Sequence, residues 1–151
     1  MRRMNIRQLL LDGIEEGYSR KTWHGPTLRG ALRGVTVEEA LWRPADGRHC
    51  IWELALHCAY WKYAARRRLL RERRGSFARR GSNWLPLPEP TGKAWRDDLQ
   101  FLADEHRALR RAVETIDAAR VERAARLIRG IANHDIYHAG QIQLLKRLAR
   151  G

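Results

Sequence analysis

The sequence predicts an all-α protein, a four-helix bundle, from three observations. Apolar residues recur every three or four positions along four long stretches, which is the period of a helix with one buried face. Glycine and proline collect between these stretches, above all in residues 75–92. The length of 151 residues and the 44% hydrophobic content suit one domain over residues 1–151, with a core of ordinary size.

The first half of the chain supplies two long helices and two short ones. The first long helix is predicted to follow Asn5, a favourable N-cap, and to end before Gly25-Pro26. Thr27 is expected to cap a short continuation, and Thr36 begins a capping box with its glutamate three residues later. The second long helix is predicted over residues 51–74, and its first part is apolar on every side and therefore buried.

The second half contains the long loop and two more helices. A loop of this length in a compact domain often covers or shapes a site, and we expect Trp84 to anchor it. Thr91 is the predicted N-cap of the third long helix, whose apolar stripe His106 interrupts. The last helix is predicted to begin between residues 121 and 125 and to end near residue 149.

The chain carries a formal charge of +13, almost all of it from arginine. Such a charge attracts nucleic acids and other polyanions, but a solvated arginine-rich surface explains it equally well. We favour the surface, because no pattern for stacking bases accompanies the arginines of residues 66–74. The sequence also contains no glycine-rich phosphate loop and no Ser, His, Asp arrangement, so neither nucleotide hydrolysis nor serine chemistry is indicated.

The two cysteines, Cys50 and Cys58, are too far apart along one predicted helix to form a disulfide. Reduced thiols, no run long enough to span a membrane and no signal-peptide core together predict a cytoplasmic protein without a membrane partner.

Three histidines are the candidate metal ligands. His134 and His138 lie one turn apart on the apolar face of the last helix, so both point towards the core. Two histidines at this spacing are a weak signal by themselves, and His57 in the buried part of the second helix supplies a third. Three nitrogen ligands leave coordination positions open for water or substrate, which is the pattern of a catalytic site.

Four other residues are candidates for supporting roles around these ligands, and a fifth, His24, lies in a predicted loop. Glu53, one turn before His57, is placed to accept a hydrogen bond from a ligand imidazole. Asp135 and Tyr137 are candidates for proton transfer, although Tyr137 fits equally well as a packing residue. His24 is interpreted as a loop residue and His106 as a boundary residue, with a place in the site as the alternative for both.

The segments His134-Asp135-Ile136-Tyr137-His138-Ala139-Gly140-Gln141-Ile142 and Ile51-Trp52-Glu53-Leu54-Ala55-Leu56-His57 resemble the DinB-like (DinB/YfiT) superfamily. Trp23-His24-Gly25-Pro26 and the loop ahead of Trp95 resemble one branch of it, so the resemblance covers nearly the whole chain. It implies an up-up-down-down four-helix bundle, usually dimeric, with a divalent metal on three histidines that match His57, His134 and His138. Cys50, at the cap before Trp52, departs from the pattern.

Members of this superfamily with known activity depend on a thiol: they are bacillithiol or glutathione S-transferases and a mycothiol-dependent isomerase. The resemblance therefore implies a metal-dependent enzyme that transfers a low-molecular-weight thiol to a small electrophile, working as a homodimer. Zinc and nickel are the expected metals, although imidazole ligands do not choose between them. The alternatives are a metal-dependent hydrolase and a basic nucleic-acid or stress-response binding protein without catalysis.

Overall fold

The computed structural model describes residues 5–151, which form six α-helices, and it confirms the all-α prediction. Four helices are long: α1 (Ile6–Tyr18), α4 (Ile51–Leu70), α5 (Gly92–Thr115) and α6 (Ala118–Arg150). Two are short, α2 (Leu28–Leu32) and α3 (Val37–Leu41), and lie between α1 and α4. Within the described part of the chain, none of the helices combines the length and the apolar character needed to cross a membrane.

The predicted N-caps are confirmed. The side chains of Asn5, Thr27 and Thr91 each accept a hydrogen bond from a backbone N–H of the following turn. Thr36 forms the expected capping box with Glu39, in which each side chain binds the other residue's backbone N–H. These bonds satisfy N–H groups that a helix cannot satisfy internally.

Two helix boundaries differ from the prediction. α4 ends at Leu70 and not at residue 74, because Arg71 takes a left-handed conformation with φ of 57°. α6 begins at Ala118, ahead of the expected range, because the Asp117 side chain caps it by accepting the Arg120 N–H at 2.8 Å.

Each long helix packs against two other long helices, because α1 and α4 both contact α5 and α6. Gly17 allows the close approach of α1 to α6, since a Cβ atom there would lie 2.7 Å from the carbonyl oxygen of Ala132. This approach brings the last turn of α1 next to the middle of α6.

The helix directions differ from the up-up-down-down order that the resemblance implied. α1 is antiparallel to α5, α4 is parallel to α5, and α6 is antiparallel to α4, which gives an up-down-down-up order. Two contacts fix each relation. For α1 and α5, Arg7 contacts Val113 and Glu15 contacts His106. For α4 and α5, Trp52 contacts Asp98 and Lys62 contacts His106, and for α4 and α6, His57 contacts His134 and Leu69 contacts Arg120. The reason is that α5 and α6 are joined by only Ile116 and Asp117, so the chain must reverse there, whereas residues 71–91 are long enough to return the chain and make α5 parallel to α4.

The core consists of two apolar clusters with a polar layer between them. One cluster contains Trp52 and Trp95, and the other contains Leu109 and Ile128. Between them, α4, α5 and α6 contribute buried polar side chains, which are His57, Lys62, His106, Asp135 and His138. Buried polar groups need partners, so this layer is where a functional site is to be sought.

Candidate metal centre

The predicted ligands come together where α4 faces α6. His57 projects from α4, and His134 and His138 project from successive turns of α6. The Nε2 atom of His134 lies 3.2 Å from Nε2 of His57 and 3.1 Å from Nε2 of His138. Only 6% of His57 and 5% of His138 is exposed. The three rings therefore present their Nε2 atoms to one buried point.

Hydrogen bonds on the far side of two rings fix where their protons lie. His57 donates from Nδ1 to the carbonyl oxygen of Asn83 at 3.1 Å, and His138 donates from Nδ1 to Oε1 of Gln141 at 2.6 Å. A neutral imidazole has one N–H, so both rings direct a lone pair from Nε2 into the cluster. Nδ1 of His134 is buried and has no hydrogen-bond partner among residues 5–151.

This donor set fits a divalent transition metal. In a tetrahedral site with metal-to-nitrogen distances of about 2.1 Å, neighbouring nitrogens lie about 3.4 Å apart. The observed separations of 3.1 and 3.2 Å are close to that value, and the candidate ligand atoms of His57, His134 and His138 all lie within 4.8 Å of one another. Two lone pairs facing a third ring nitrogen are better accommodated by a cation than by hydrogen bonds alone.

Burial keeps these histidines neutral, which is the form that binds metal. Burial lowers the pKa of His57 to about 4, although the hydrogen bond to Asn83 opposes the shift. Burial, and after it the charges of the two neighbouring imidazoles, lowers the pKa of His134 to about 3. Burial also lowers the pKa of His138. At neutral pH all three rings are available as ligands.

The loop between α4 and α5 covers one side of the cluster. Asn83 has φ of 58°, and its Oδ1 accepts a hydrogen bond from the Trp61 indole at 2.9 Å. The Trp84 ring stacks on His57 with ring centres 4.0 Å apart, and its indole also stacks on His49 at 3.5 Å. The loop thus shapes the site as expected. The part played by Asn83 was not predicted, because a backbone carbonyl leaves no mark on the sequence.

Two cavities reach the cluster from different sides. The first, of about 540 Å³, is lined by His57 and His138 together with Trp84, Tyr137 and Gln141. The second, of about 510 Å³, ends at His134. Both cavities are of the size that binds small molecules.

The structure places Glu53 away from the ligands. Its carboxylate binds the Arg43 guanidinium at 2.7 and 2.8 Å, accepts the Cys50 N–H at 2.9 Å and lies 3.3 Å from Nδ1 of His49. The prediction that Glu53 supports a ligand imidazole is therefore wrong. Asn83 and Gln141 occupy that role, and Glu53 fastens the start of α4 in place of a side-chain cap from Cys50.

Of two further candidates, His24 lies apart from the three-histidine cluster, whereas the Tyr137 ring lies beside His138, with ring centres 5.0 Å apart. His24 contacts Trp23 in the loop after α1 and is absent from the cluster. Tyr137 is 64% exposed and accepts a hydrogen bond from Nε2 of Gln141 at 3.2 Å, so it orients the partner of His138 instead of packing between helices.

Asp135 and His106 belong to a second buried polar cluster beside the first. Lys62, which is 0% exposed, donates to Asp135 and lies 3.3 Å from Nδ1 of His106. Nε2 of His106 in turn lies 3.1 Å from the Glu15 carboxylate. Asp135 thus faces the lysine and not the cavities. His106 is buried between Tyr18 and Lys62, so the interpretation as a boundary residue is wrong.

A second group of possible ligands, Cys58, His134 and Asp135, is much less suited to a metal. Metals bind the thiolate form of cysteine, and burial raises the pKa of the Cys58 thiol well above its ordinary value. Both cysteines are free and buried, as expected from their spacing.

The fold and the donor set define a helical-bundle protein with a three-histidine site suited to a divalent metal. Comparison with protein families makes the assignment specific, since the DinB superfamily model matches residues 22–142. The chain belongs to the DinB superfamily. Neither the comparison with curated proteins nor the comparison with solved structures gave a match.

Proposed function

We propose that this protein is a divalent-metal-dependent enzyme that transfers a low-molecular-weight thiol to a small electrophile. The observation that carries the proposal is the convergence of the Nε2 atoms of His57, His134 and His138, beside one cavity that His57 and His138 line and a second that His134 lines. A bound metal with an open position supplies a site where a thiol loses its proton and becomes a nucleophile at neutral pH. Zinc or nickel is the metal we propose.

The residues around the cluster hold the ligands in a fixed orientation. Asn83 and Gln141 keep the protons of His57 and His138 on Nδ1, which leaves Nε2 free. Trp84 covers the outer face of His57 and limits access of water to it. Leu54, Leu144 and Leu145 give the first cavity apolar walls that suit the body of an organic electrophile.

The composition of the cavity walls favours thiol transfer over hydrolysis. Metal-dependent hydrolases commonly use a carboxylate as general base for the attacking water. None of the described residues that line the two cavities is Asp or Glu. Of the nearby carboxylates, Glu53 is committed to Arg43 and His49, and Asp135 faces Lys62. A thiol held by the metal would release its proton to solvent at neutral pH and would need no such base.

Metal content of protein purified without a histidine tag or chelator tests the site. We expect about one transition-metal ion per chain in the wild type, because three nitrogens suffice for tight binding. The triple variant His57→Ala, His134→Ala, His138→Ala is expected to contain none, whereas His24→Ala, a histidine outside the cluster, is expected to match the wild type. Stoichiometric metal in the triple variant would refute the assignment.

Cobalt exchange then tests the chemistry. A thiol that binds the metal is expected to add a sulfur-to-cobalt charge-transfer band in the near ultraviolet, and electrophile consumption is expected to require added thiol. Product formation by water alone, at the same rate with and without thiol, would instead identify a hydrolase. Duplex binding that survives removal of the metal would support the nucleic-acid alternative.

We also propose that the protein works as a homodimer. Tyr137, Leu144 and Leu148 are 64%, 59% and 52% exposed on one face of α6, and such an apolar stripe favours an interface. Analytical ultracentrifugation of the wild type and of Leu144→Glu, Leu148→Glu tests this: the wild type is expected to sediment as a dimer and the variant as a monomer.

A further inference from the structure

The second cavity is a groove between the C-terminal half of α4 and the N-terminal half of α6. Its floor is apolar and consists of Trp61 and Ala65 from α4 and Leu127 and Ile131 from α6. His134 closes one end of the groove. We call it the arginine groove, because Arg68, Arg123 and Arg126 line the rest of it.

Unlike Arg66 and Arg120 on the same two helices, these three arginines have no acidic partner among the described residues. Arg66 pairs with Glu72 and Glu105, and Arg120 pairs with Asp117. Among residues 5–151, no carboxylate oxygen lies within 4.0 Å of the Arg68, Arg123 or Arg126 side chains, and all three side chains are exposed. Their positive charge is therefore available to a ligand.

The helices set the distance between this charge and the histidine cluster. Arg126 and Arg123 precede His134 on α6 by eight and eleven residues. At a rise of about 1.5 Å per residue, their Cα atoms lie about 12 and 16 Å along the helix axis from His134. Arg68 follows Trp61 by seven residues on α4 and reaches the same end of the groove.

We propose that the arginine groove binds an elongated amphipathic carboxylate, with its anionic end at Arg68, Arg123 and Arg126 and its apolar chain along Trp61, Leu127 and Ile131. An apolar floor with unpaired cations at one end is complementary to such a molecule. Placement of the other end of the molecule at His134 rests on the proposed metal-dependent function. Binding of the carboxylate end and of the chain does not.

Three thiol probes of different length and charge test the groove in the cobalt-exchanged protein. We expect mercaptoundecanoate to bind at least about tenfold more tightly than mercaptopropionate, which is too short to reach the arginines, and than mercaptoundecanol, which lacks the charge. The charge-transfer band reports each affinity directly, without any assay of turnover.

Charge-neutralising variants locate the interaction. Arg123→Gln and Arg126→Gln are each expected to weaken mercaptoundecanoate about three- to fivefold, the effect of one exposed ion pair, and to leave mercaptoundecanol unchanged. Arg147→Gln is the matched control, because it removes an exposed arginine of α6 outside the groove. Equal affinity of wild type and both groove variants for mercaptoundecanoate would overturn the proposal.

Undecanoate, which has no thiol, separates this proposal from the proposed function. Its binding to metal-free protein is measured by calorimetry in the wild type and in the same three variants. If undecanoate binding depended on the arginines but no thiol produced the sulfur-to-cobalt charge-transfer band, the groove would stand and thiol transfer would be rejected. If the charge-transfer band reported the same affinity for probes of every length and charge, and undecanoate did not bind, the groove would be rejected and thiol transfer would stand.

Discussion

Two buried polar clusters lie next to each other in this bundle and are built on opposite principles. In the cluster of Lys62, Asp135 and His106, donors meet acceptors: the ammonium faces the carboxylate and a ring nitrogen, and His106 faces the carboxylate of Glu15. In the cluster of His57, His134 and His138, ring nitrogens face one another.

The difference separates a self-contained polar cluster from one that is suited to an external ligand. The lysine cluster completes most of its hydrogen bonds within the chain, so it holds α1, α4, α5 and α6 in register without help. The histidine cluster aims two lone pairs at a third ring nitrogen, an arrangement that fits a divalent cation supplied from outside. Since His134 and Asp135 are consecutive residues, one turn of α6 contributes a side chain to each of the two clusters.

The largest expected effect comes from removing the cation of the lysine cluster. Lys62→Met leaves the fully buried Asp135 carboxylate without its partner, which we expect to lower the free energy of unfolding by about 3–5 kcal/mol. The double variant Lys62→Met, Asp135→Leu should recover most of this loss, because it removes both charges together. Urea denaturation measures all three proteins.

Lys93→Met is the control for this prediction. Lys93 pairs with Asp97 on the surface of α5, where both side chains are more than half exposed. Such a pair contributes about 1 kcal/mol or less. If Lys62→Met lowered the free energy of unfolding no more than Lys93→Met, the lysine cluster would not hold the four long helices together.

The pH dependence of stability is the next largest effect. Burial lowers the pKa of His57 to about 4 and of His106 to about 2, whereas an unfolded histidine has a pKa of about 6.5. The unfolded chain therefore binds more protons, so the stability contribution is complete above about pH 6.5 and is lost as the pH falls towards the folded-state values.

Metal-free protein in chelator is the system in which to measure this. Each such histidine contributes a slope of about 1.4 kcal/mol per pH unit, or about 2 kcal/mol between pH 6.5 and pH 5. His106→Gln and His57→Gln are each expected to reduce the slope of the free energy of unfolding against pH by about 1.4 kcal/mol per pH unit, which corresponds to one proton. A free energy that stays constant from pH 7 to pH 5 would contradict the neutral, buried state of these rings.

The two clusters also differ in how far the sequence predicts them. The sequence predicts the three histidines as metal ligands. Two of them are four residues apart on one helix face and the third lies on a buried helix, which is a recognisable ligand pattern. The sequence does not predict that Lys62 is buried, because nothing distinguishes this lysine from the other 29 lysines and arginines. Its burial depends on Asp135 and His106, which come from other helices.

The same limit applies to the helix order and to the loop. Periodicity located all four long helices, but their directions depend on the connections, and the order that the resemblance implied was wrong. Trp84 was expected to anchor the loop, whereas its stacking on His57 depends on the left-handed turn at Asn83, which only the folded chain shows.

The smallest expected effect concerns the loop over the histidine cluster. Trp84→Ala removes the ring stacked on His57 and exposes that ligand to water, while the ligand nitrogens themselves remain. Changes next to metal ligands typically reduce metal affinity by about tenfold, so we expect a decrease of that order, measured by competition with a chromophoric chelator.

Trp23→Ala is the matched control, because Trp23 is 97% exposed and Trp84 only 37%. The control should leave the metal affinity unchanged, and neither variant should alter the free energy of unfolding of the metal-free protein by as much as Lys62→Met. An unchanged affinity in Trp84→Ala would mean that α4 and α6 hold the ligands without the loop. A decrease confined to Trp84→Ala would show that the histidine cluster, unlike the lysine cluster, depends on a segment outside the helices, because the loop keeps Nε2 of His57 directed at the same point as His134 and His138.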